Sequence, residues 1–577
     1  MPRIDLLLLH APSVYDFREE AILYGPVSDL IPSGPIFEMY PIGFTTIAEY
    51  LERHGFRVRI VNLAARMLQD PGLDVPSFLA RLRPAVFGID LHWLPHAHGS
   101  LAIAQLLKEL HPQTPVLFGG LSSSYYQREL LSYPAVDYVL RGDSTEEPVR
   151  QLMVALREGG DLAKIPNLTW RDNGAVRENP LSWVPDALDG IVLDYRHLLR
   201  SVPRYMDLRS AVPFDRWMDY PITAALSVRG CTQACLTCGG SAAGYRLVCS
   251  RGRPAYRPPE VLAQDLATVR RFNNGPLFIL GDLRQAGEEY VHRFLEAARQ
   301  KRIGGEVIVE LFWPAPAGYL ERVAAAFPGF VLEVSLESHD PKVRRAFGKT
   351  YDNAPVEETV AAALQAGCRR VDVFFMIGLP QQDSASVLDT VAYCGDLLER
   401  FGRDGRLHPF ISPLAPFVDP GSQAFEEPER HGYRLFCRTL EEHRRALLGP
   451  TWLQTLNYET RWLTREEIVA VTYEAGRRLN RLKARYGLVS PEGARQVAER
   501  IDQAEAMVER VTRLWQAGEV EAIHALKPEI DRLSISTVCE KEELDLPLRR
   551  RLNWLGAAWA YLSMLAKRWK SGEEERG

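Results

Sequence analysis

Two stretches of the chain alternate short apolar runs with longer amphipathic ones. In residues 1–185, apolar runs at Ile4–Leu9, Arg57–Asn62, Ala85–Ile89, Pro115–Phe118 and Tyr138–Leu140 predict strands. The segments Gly43–His54, Val75–Leu82, Ser100–Leu110 and Thr145–Glu158 between them have helical periodicity. Such alternation predicts a parallel sheet with helices on both faces. Ligands of these sheets gather beyond the carboxyl ends of the strands. The residues there are Asp90-Leu91-His92-Trp93 after the third strand, Gly119-Gly120-Leu121-Ser122-Ser123-Ser124 after the fourth and Arg141-Gly142-Asp143 after the fifth. Paired glycines let backbone approach a large flat ligand, and serines offer donors and acceptors.

The second alternation covers 222–428. Strands are expected at Ile222–Val228, Pro276–Leu280, Glu306–Leu311, Val331–Leu336, Arg370–Met376 and His408–Ser412, with helices at Pro259–Asn273, Glu288–Lys301, Ala317–Ala326, Ala354–Ala366 and Ser384–Arg400. Six such units predict a partial β/α barrel with its chemistry at the strand carboxyl ends. Residues 186–221 have several prolines and little periodicity, and read as a linker. From 429 to 577 the chain is helical and rich in Arg and Glu, with a helix start at Thr464 backed by Glu466 and Glu467.

Composition narrows the class. A length of 577 residues calls for about three domains. With 46% apolar and 25% charged residues the chain reads as ordinary globular protein, and its net charge of −5 gives no general pull towards nucleic acid. No basic leader follows Met1 and no apolar run reaches the ~18 residues of a membrane span. A reduced, cytoplasmic protein is expected. The apolar run Leu552–Ala566 has Arg549–Arg551 on one side and Lys567, Arg568 and Lys570 on the other. Basic ends with tryptophans suit a helix lying on a membrane surface, whereas a run of this length also suits a buried core helix.

The segment Arg229–Ser241, RGCTQACLTCGGS, places Cys231, Cys235 and Cys238 in a C-x3-C-x2-C pattern after an apolar strand. A closed iron–sulfur site takes four cysteines, so three in one loop leave one iron open to a small ligand. A zinc site would need a fourth ligand such as Cys249. A redox pair at Cys235 and Cys238 would leave Cys231 without a role. A disulfide framework does not suit a long chain with eight cysteines.

The cysteine pattern resembles that of the radical S-adenosylmethionine (SAM) enzymes. PIGFTTIAEYLERHGFRVRIVNL, VFGIDLHW, PVLFGGLSSS and DYVLRGDSTEEPVRQL, in that order ahead of it, resemble the cobalamin-binding domain of the cobalamin-dependent radical SAM family. The resemblance covers about the first 430 residues. It implies an α/β protein: a Rossmann-like cobalamin-binding domain (1–185), a linker (186–221), a partial (β/α)6 barrel (222–428) and a helical C-terminal domain (429–577). It assigns Cys231, Cys235 and Cys238 to a 4Fe–4S cluster. SAM would meet Gly281 and Asp282 with its amino group, Ser335 and Glu337 with its ribose, and Gly378 with its adenine. Cobalamin would meet Asp90, Leu91, His92, Gly119, Gly120, Ser122, Ser123, Arg141, Gly142 and Asp143. Leu414-Ala415-Pro416 and Pro420-Gly421-Ser422 would face the substrate.

Two departures stand out. The loop His10–Tyr40 lacks the Asp-x-His-x-x-Gly that supplies cobalt with a histidine, so cobalamin is expected without one, with His92 as the alternative lower ligand. Thr237 replaces the aromatic residue common before the last cysteine. The implied reaction is methyl transfer from methylcobalamin to an unactivated carbon or to phosphorus through a 5′-deoxyadenosyl radical. The substrate would be a small molecule or a lipid, and a flavodoxin- or ferredoxin-type protein would donate electrons. A ring contraction, oxidation or cyclisation without methyl transfer, and a cobalamin sensor, are the alternatives.

Overall fold

A computed structural model describes residues 4–28, 34–414, 417–533, 538–546, 553 and 555–562. The N-terminal sheet contains β1 (Ile4–His10), β2 (Val58–Asn62), β3 (Pro84–Asp90), β4 (Val116–Gly119), β5 (Tyr138–Leu140), β6 (Leu168–Asp172) and β7 (Ala175–Glu178). Their order is β2-β1-β3-β4-β5-β6-β7. The first five are parallel, and β6–β7 extends them as an antiparallel hairpin. Strand polarity of side chains explains the two faces. Leu6 and Leu8 pack with Phe44, Leu51, Leu152 and Met153 of the helices Ile42–Arg53 and Glu146–Glu158. Leu7 and Leu9 join the core that runs on into the rest of the molecule. The order reverses between β1 and β3, the crevice where ligands of such sheets bind.

In this sheet the expected strands are present within a residue or two. The serine run is different: Leu121–Tyr125 is a short helix, not a loop. So is the linker, where the helix Arg196–Tyr205 straps the first domain through Arg200 to Glu49 and Glu52 and Arg204 to Glu52. Pro203 inside that helix hid it from a periodicity reading.

Next come β8 (Thr223–Ala225), β9 (Val228–Arg229) and β10 (Ala255–Tyr256). β11 (Leu277–Ile279), β12 (Val307–Leu311), β13 (Val331–Glu337), β14 (Arg370–Ile377) and β15 (Leu407–Pro413) complete a parallel six-stranded sheet with β8, in the order β15-β14-β13-β12-β11-β8. β9 and β10 pair separately. The C-terminal part opens with an antiparallel pair, β16 (Tyr433–Leu435) and β17 (Tyr458–Thr460), that the all-helical reading omitted. The long helix Arg465–Arg485 follows, started by a capping box between Thr464 and Glu467.

Of Leu552–Ala566, the described part Leu555–Leu562 is helical and turns Leu555 (85% exposed), Trp559 (60%) and Leu562 (61%) outward, against the core-helix reading. Its basic flanks, and Ala415 and Pro416, lie outside the described residues. Among the described residues no helix is long and apolar enough to cross a membrane.

Candidate functional site

The cysteine loop leaves β9 at Gly230, whose φ of +98° brings Arg251 Cδ within 2.8 Å of where a Cβ would stand. Glycine is therefore required there. The loop is then fixed at three points. Leu236 N donates to Phe347 O (2.9 Å), Gly239 N to Asp419 Oδ2 (3.0 Å), and Ala424 N to Leu236 O (3.0 Å). Ser241 caps the helix Ala242–Cys249 that ends it. Cys231, Cys235 and Cys238 are free and half-buried; Cys249, Cys368, Cys394, Cys437 and Cys539 are buried.

Cys231 Sγ accepts from Gln233 N (3.3 Å) and lies 3.4 Å from Gln285 Oε1. Burial pushes the Cys235 thiol up to about 11, against the pull of Lys349, and moves Cys231 and Cys238 the same way. Thiols so placed stay protonated at neutral pH unless a cation takes them as thiolates. The three cysteines share one pinned loop, but among the described residues their sulfurs do not converge into a metal-holding group, so their assignment to a cluster rests on the spacing in the sequence.

Polar groups gather at the carboxyl ends of the barrel strands. Glu337 ends β13 at a register shift, with φ +66°, a conformation that costs energy outside glycine. It pairs with buried Lys349 at 2.5 Å, and Lys349 also donates to Ser335 O at 2.6 Å. Asp282 is bonded within the protein. Oδ1 accepts from Arg284 N and Nε, and Oδ2 accepts from Arg284 Nη2 (2.5 Å) and Phe312 N (3.0 Å), with the side chain fully buried.

The sequence reading passed over Glu310 on β12, which accepts from Gly281 N at 2.9 Å. Burial pushes Glu310 up to about 7, with Asp282 and Glu337 adding to the rise and Gly281 N–H and Lys349 opposing it. Its signal was available: a lone Glu at the end of an apolar strand beside Gly281. Gly378, at φ +96°, is roofed by β16–β17. Its carbonyl accepts from Tyr433 OH (2.9 Å), and a Cβ would meet Tyr458 OH at 2.7 Å. Tyr458 is fully buried, and its hydroxyl has no hydrogen-bond partner among the described residues.

At the first sheet's edge the predicted contacts divide. Asp90, ending β3, bonds His10 of β1 (Nδ1–Oδ1 2.9 Å) in the crevice between the two strands. Both are buried; burial opposes both charges, yet mutual attraction raises His10 and lowers Asp90. Among the described residues Asp90 Oδ2 and His96 Nδ1 have no hydrogen-bond partner, and burial drops His96 to about 4. His92 is half-buried, with no side-chain hydrogen bond among the described residues, and its ring lies 5.9 Å from that of Trp93, which is 42% exposed.

Several others turn inward. Gly120, at φ +119°, approaches His92 backbone rather than open space. Ser122 Oγ donates to His92 O, and Ser123 N donates to Leu91 O. Arg141 reaches back to Glu178 and Asn179 O, and Asp143 pairs with Arg251 of the barrel domain. Gly119 stays open, and Gly142 N donates to Ser124 Oγ. What stands exposed or half-exposed at this edge is His92, Trp93 and Gly119, while Leu91 is buried with its N–H on Gly119 O (2.9 Å).

Two family models match the chain: the B12 binding domain over residues 36–150, and the radical SAM superfamily over 226–394. Residues 36–150 are thus similar to B12 binding domains and residues 226–394 to radical SAM domains. An uncharacterised methyltransferase of Pyrococcus horikoshii is 24% identical over 204 residues, 35% of this chain and 40% of the relative. An anaerobic magnesium-protoporphyrin IX monomethyl ester cyclase of Synechocystis is 26% identical over 178 residues, 30% of this chain and 32% of the relative. The chain thus spans less than half the length of either relative.

Among solved structures, the radical SAM methyltransferase TsrM of Kitasatospora setae, with cobalamin and a 4Fe–4S cluster bound, aligns with a TM-score of 0.58 at 16% identity. The alignment covers 85% of this chain and 90% of that one. The cobalamin-dependent radical SAM enzyme OxsB, with aqua-cobalamin and SAM bound, aligns at 0.55 and 12% identity, over 100% and 81%. These likenesses establish the shared three-part fold.

Proposed function

We propose that this protein is a methyltransferase acting on an unactivated carbon or on phosphorus of a small molecule or lipid. The observation that carries the reading is one pinned cysteine trio in the same chain as a parallel sheet whose strand order reverses between β1 and β3. When bound, the cluster and SAM supply a 5′-deoxyadenosyl radical and methylcobalamin supplies the methyl group.

The protein's own groups hold and enclose. Cys231, Cys235 and Cys238 would hold the cluster. Glu310 takes the place expected of Asp282, with Oε1 available to accept from the SAM ammonium while Oε2 stays on Gly281 N. Glu337, held by Lys349, would accept from the ribose hydroxyls at the end of β13. Tyr433 and Tyr458 close the mouth over Gly378 and keep water from the radical. Leu91, His92, Trp93 and Gly119 would seat cobalamin. Electrons would come from a flavodoxin- or ferredoxin-type donor. The outward Leu555, Trp559 and Leu562 support contact with a membrane surface, which sedimentation with anionic vesicles tests.

The deciding experiment is anaerobic reconstitution with iron, sulfide and hydroxocobalamin, then reduction in the presence of SAM and mass spectrometry of the products. S-adenosylhomocysteine together with 5′-deoxyadenosine supports methyl transfer. 5′-Deoxyadenosine without S-adenosylhomocysteine would move the assignment to a non-methylating reaction, and neither product would overturn both.

A further inference from the structure

The segment after β5 belongs to the first sheet's ligand edge, yet its charged side chains point into the barrel domain. Glu146 forms a two-toothed pair with Arg229: Nη1 to Oε2 at 2.9 Å and Nη2 to Oε1 at 2.5 Å. Thr46 Oγ1 donates to the same carboxylate at 2.6 Å, and Ser144 Oγ lies 3.2 Å from Arg229 Nη1. Asp143 forms a second such pair with Arg251, Nε to Oδ2 at 2.5 Å and Nη2 to Oδ1 at 3.1 Å. Ser144 Oγ also contacts Arg251 at 3.2 Å. Thr46, Ser144, Glu146, Arg229 and Arg251 are all buried.

The two arginines bracket the cysteine loop. Arg229 stands two residues before Cys231, and Arg251 stands two after Cys249, where the helix that the loop feeds has ended. The Arg251 stem packs on Gly230, the residue next to Cys231. On the other side, Gly142 N donates to Ser124 Oγ, and Ser122 holds the carbonyl of His92. A continuous path of hydrogen bonds and packing thus joins the His92 edge to the cysteine loop. Buried bidentate ion pairs of this kind are stiff, because parting the domains would strand charges away from water.

We infer that Asp143, Ser144 and Glu146 are positioning residues that couple the ligand edge of the first sheet to the cluster loop, so that filling one site favours filling the other. The inference rests on the proposed function, which puts cobalamin at that edge and a cluster in that loop. Coupling between sites is reciprocal, with usual factors of about 5–150 in affinity.

The test is equilibrium dialysis of the full chain against hydroxocobalamin, with and without reconstituted cluster, under anaerobic conditions. In the parent, cluster-loaded protein is expected to bind at least about fivefold more tightly than cluster-free protein. Glu146→Gln keeps an acceptor for Thr46 and removes the charge facing Arg229; its ratio is expected to fall to about one while cluster and cobalamin still bind. Asp143→Asn, which leaves Glu146–Arg229 intact, is expected to give an intermediate ratio, and it decides the matter should Glu146→Gln not fold. A merely structural role would lower the melting temperature and leave the ratio alone. A parent ratio of one, or an unchanged ratio in both variants, overturns the coupling. A cluster-loaded parent that binds no hydroxocobalamin overturns the proposed function instead.

Discussion

Gly348 sits where the barrel domain grips the cysteine loop, and adding one methyl group there should empty the cluster site. Its φ is +113°, and a Cβ would stand 2.6 Å from Ala234 O and 3.1 Å from the carbonyl carbon. That atom is backbone, so no side chain can swing away. The torsion alone costs ~1–3 kcal/mol in a non-glycine residue, and overpacking adds ~1–3 kcal/mol more. A total of ~2–6 kcal/mol is a large share of the 5–15 kcal/mol typical of a domain, so the loop gives way before the fold does. The same shift would move Lys349, the partner of Glu337. Gly367 is the control: it has φ +88° with nothing within 4 Å of its Cβ position. Iron and sulfide analysis after anaerobic reconstitution, with visible absorbance, should show Gly348→Ala with well under half the parent's cluster and Gly367→Ala with a full complement. Cobalamin uptake should survive in both. Full iron in Gly348→Ala, or equal loss in the two variants, would refute the argument that the Ala234 contact holds the loop.

Cys235→Ala should abolish the cluster's visible absorbance and SAM cleavage together; retained iron would remove that cysteine from the ligand set. Glu310→Gln should weaken SAM binding measured by calorimetry about tenfold at pH 8, and parent affinity should decline as pH falls through about 7 because the carboxylate that accepts from the ammonium becomes protonated. Asp282→Asn should instead leave SAM affinity unchanged and destabilise the fold by roughly 3 kcal/mol through its buried arginine. His197 is buried with neither ring nitrogen hydrogen-bonded among the described residues, and burial lowers it to about 3. Its folded value lies below the unfolded ~6.5, so it costs stability as pH falls from 6.5; His197→Phe should match the parent at pH 7.5 and gain ~1.4 kcal/mol at pH 5.5 in denaturant titrations.

The strands of both sheets were legible because each is a short apolar run bounded by polar or glycine-rich turns, and their parallel pairing follows from strand–helix alternation. Elements without such contrast were not. The helix Arg196–Tyr205 contains a proline, and β16 and β17 are three residues each, in segments rich in charge. Their pairing joins residues about 25 apart in the chain, Arg434 to Glu459, and no local pattern carries that information.

The candidate site divides along the same line. Cys231, Cys235 and Cys238 were legible because the spacing alone puts three sulfurs in one loop. Which acids are bonded within the protein was not, because sequence position gives the strand end and not the direction of the side chain. Asp282 follows its glycine as expected, but Arg284 two residues later captures it, leaving Glu310 on the neighbouring strand to receive Gly281 N–H. Asp143 and Arg141 repeat the pattern: each stands at a strand's carboxyl end and is drawn away by a charge distant in sequence, Arg251 and Glu178. Charged residues at strand ends have two competing uses, binding and bracing. The presence of an arginine or glutamate partner within reach decides between them, and that partner is visible only once the chain is folded. Of the uncharged residues at the same edge, His92 and Trp93 keep their side chains at the surface, whereas Leu91 is buried with its N–H on Gly119 O.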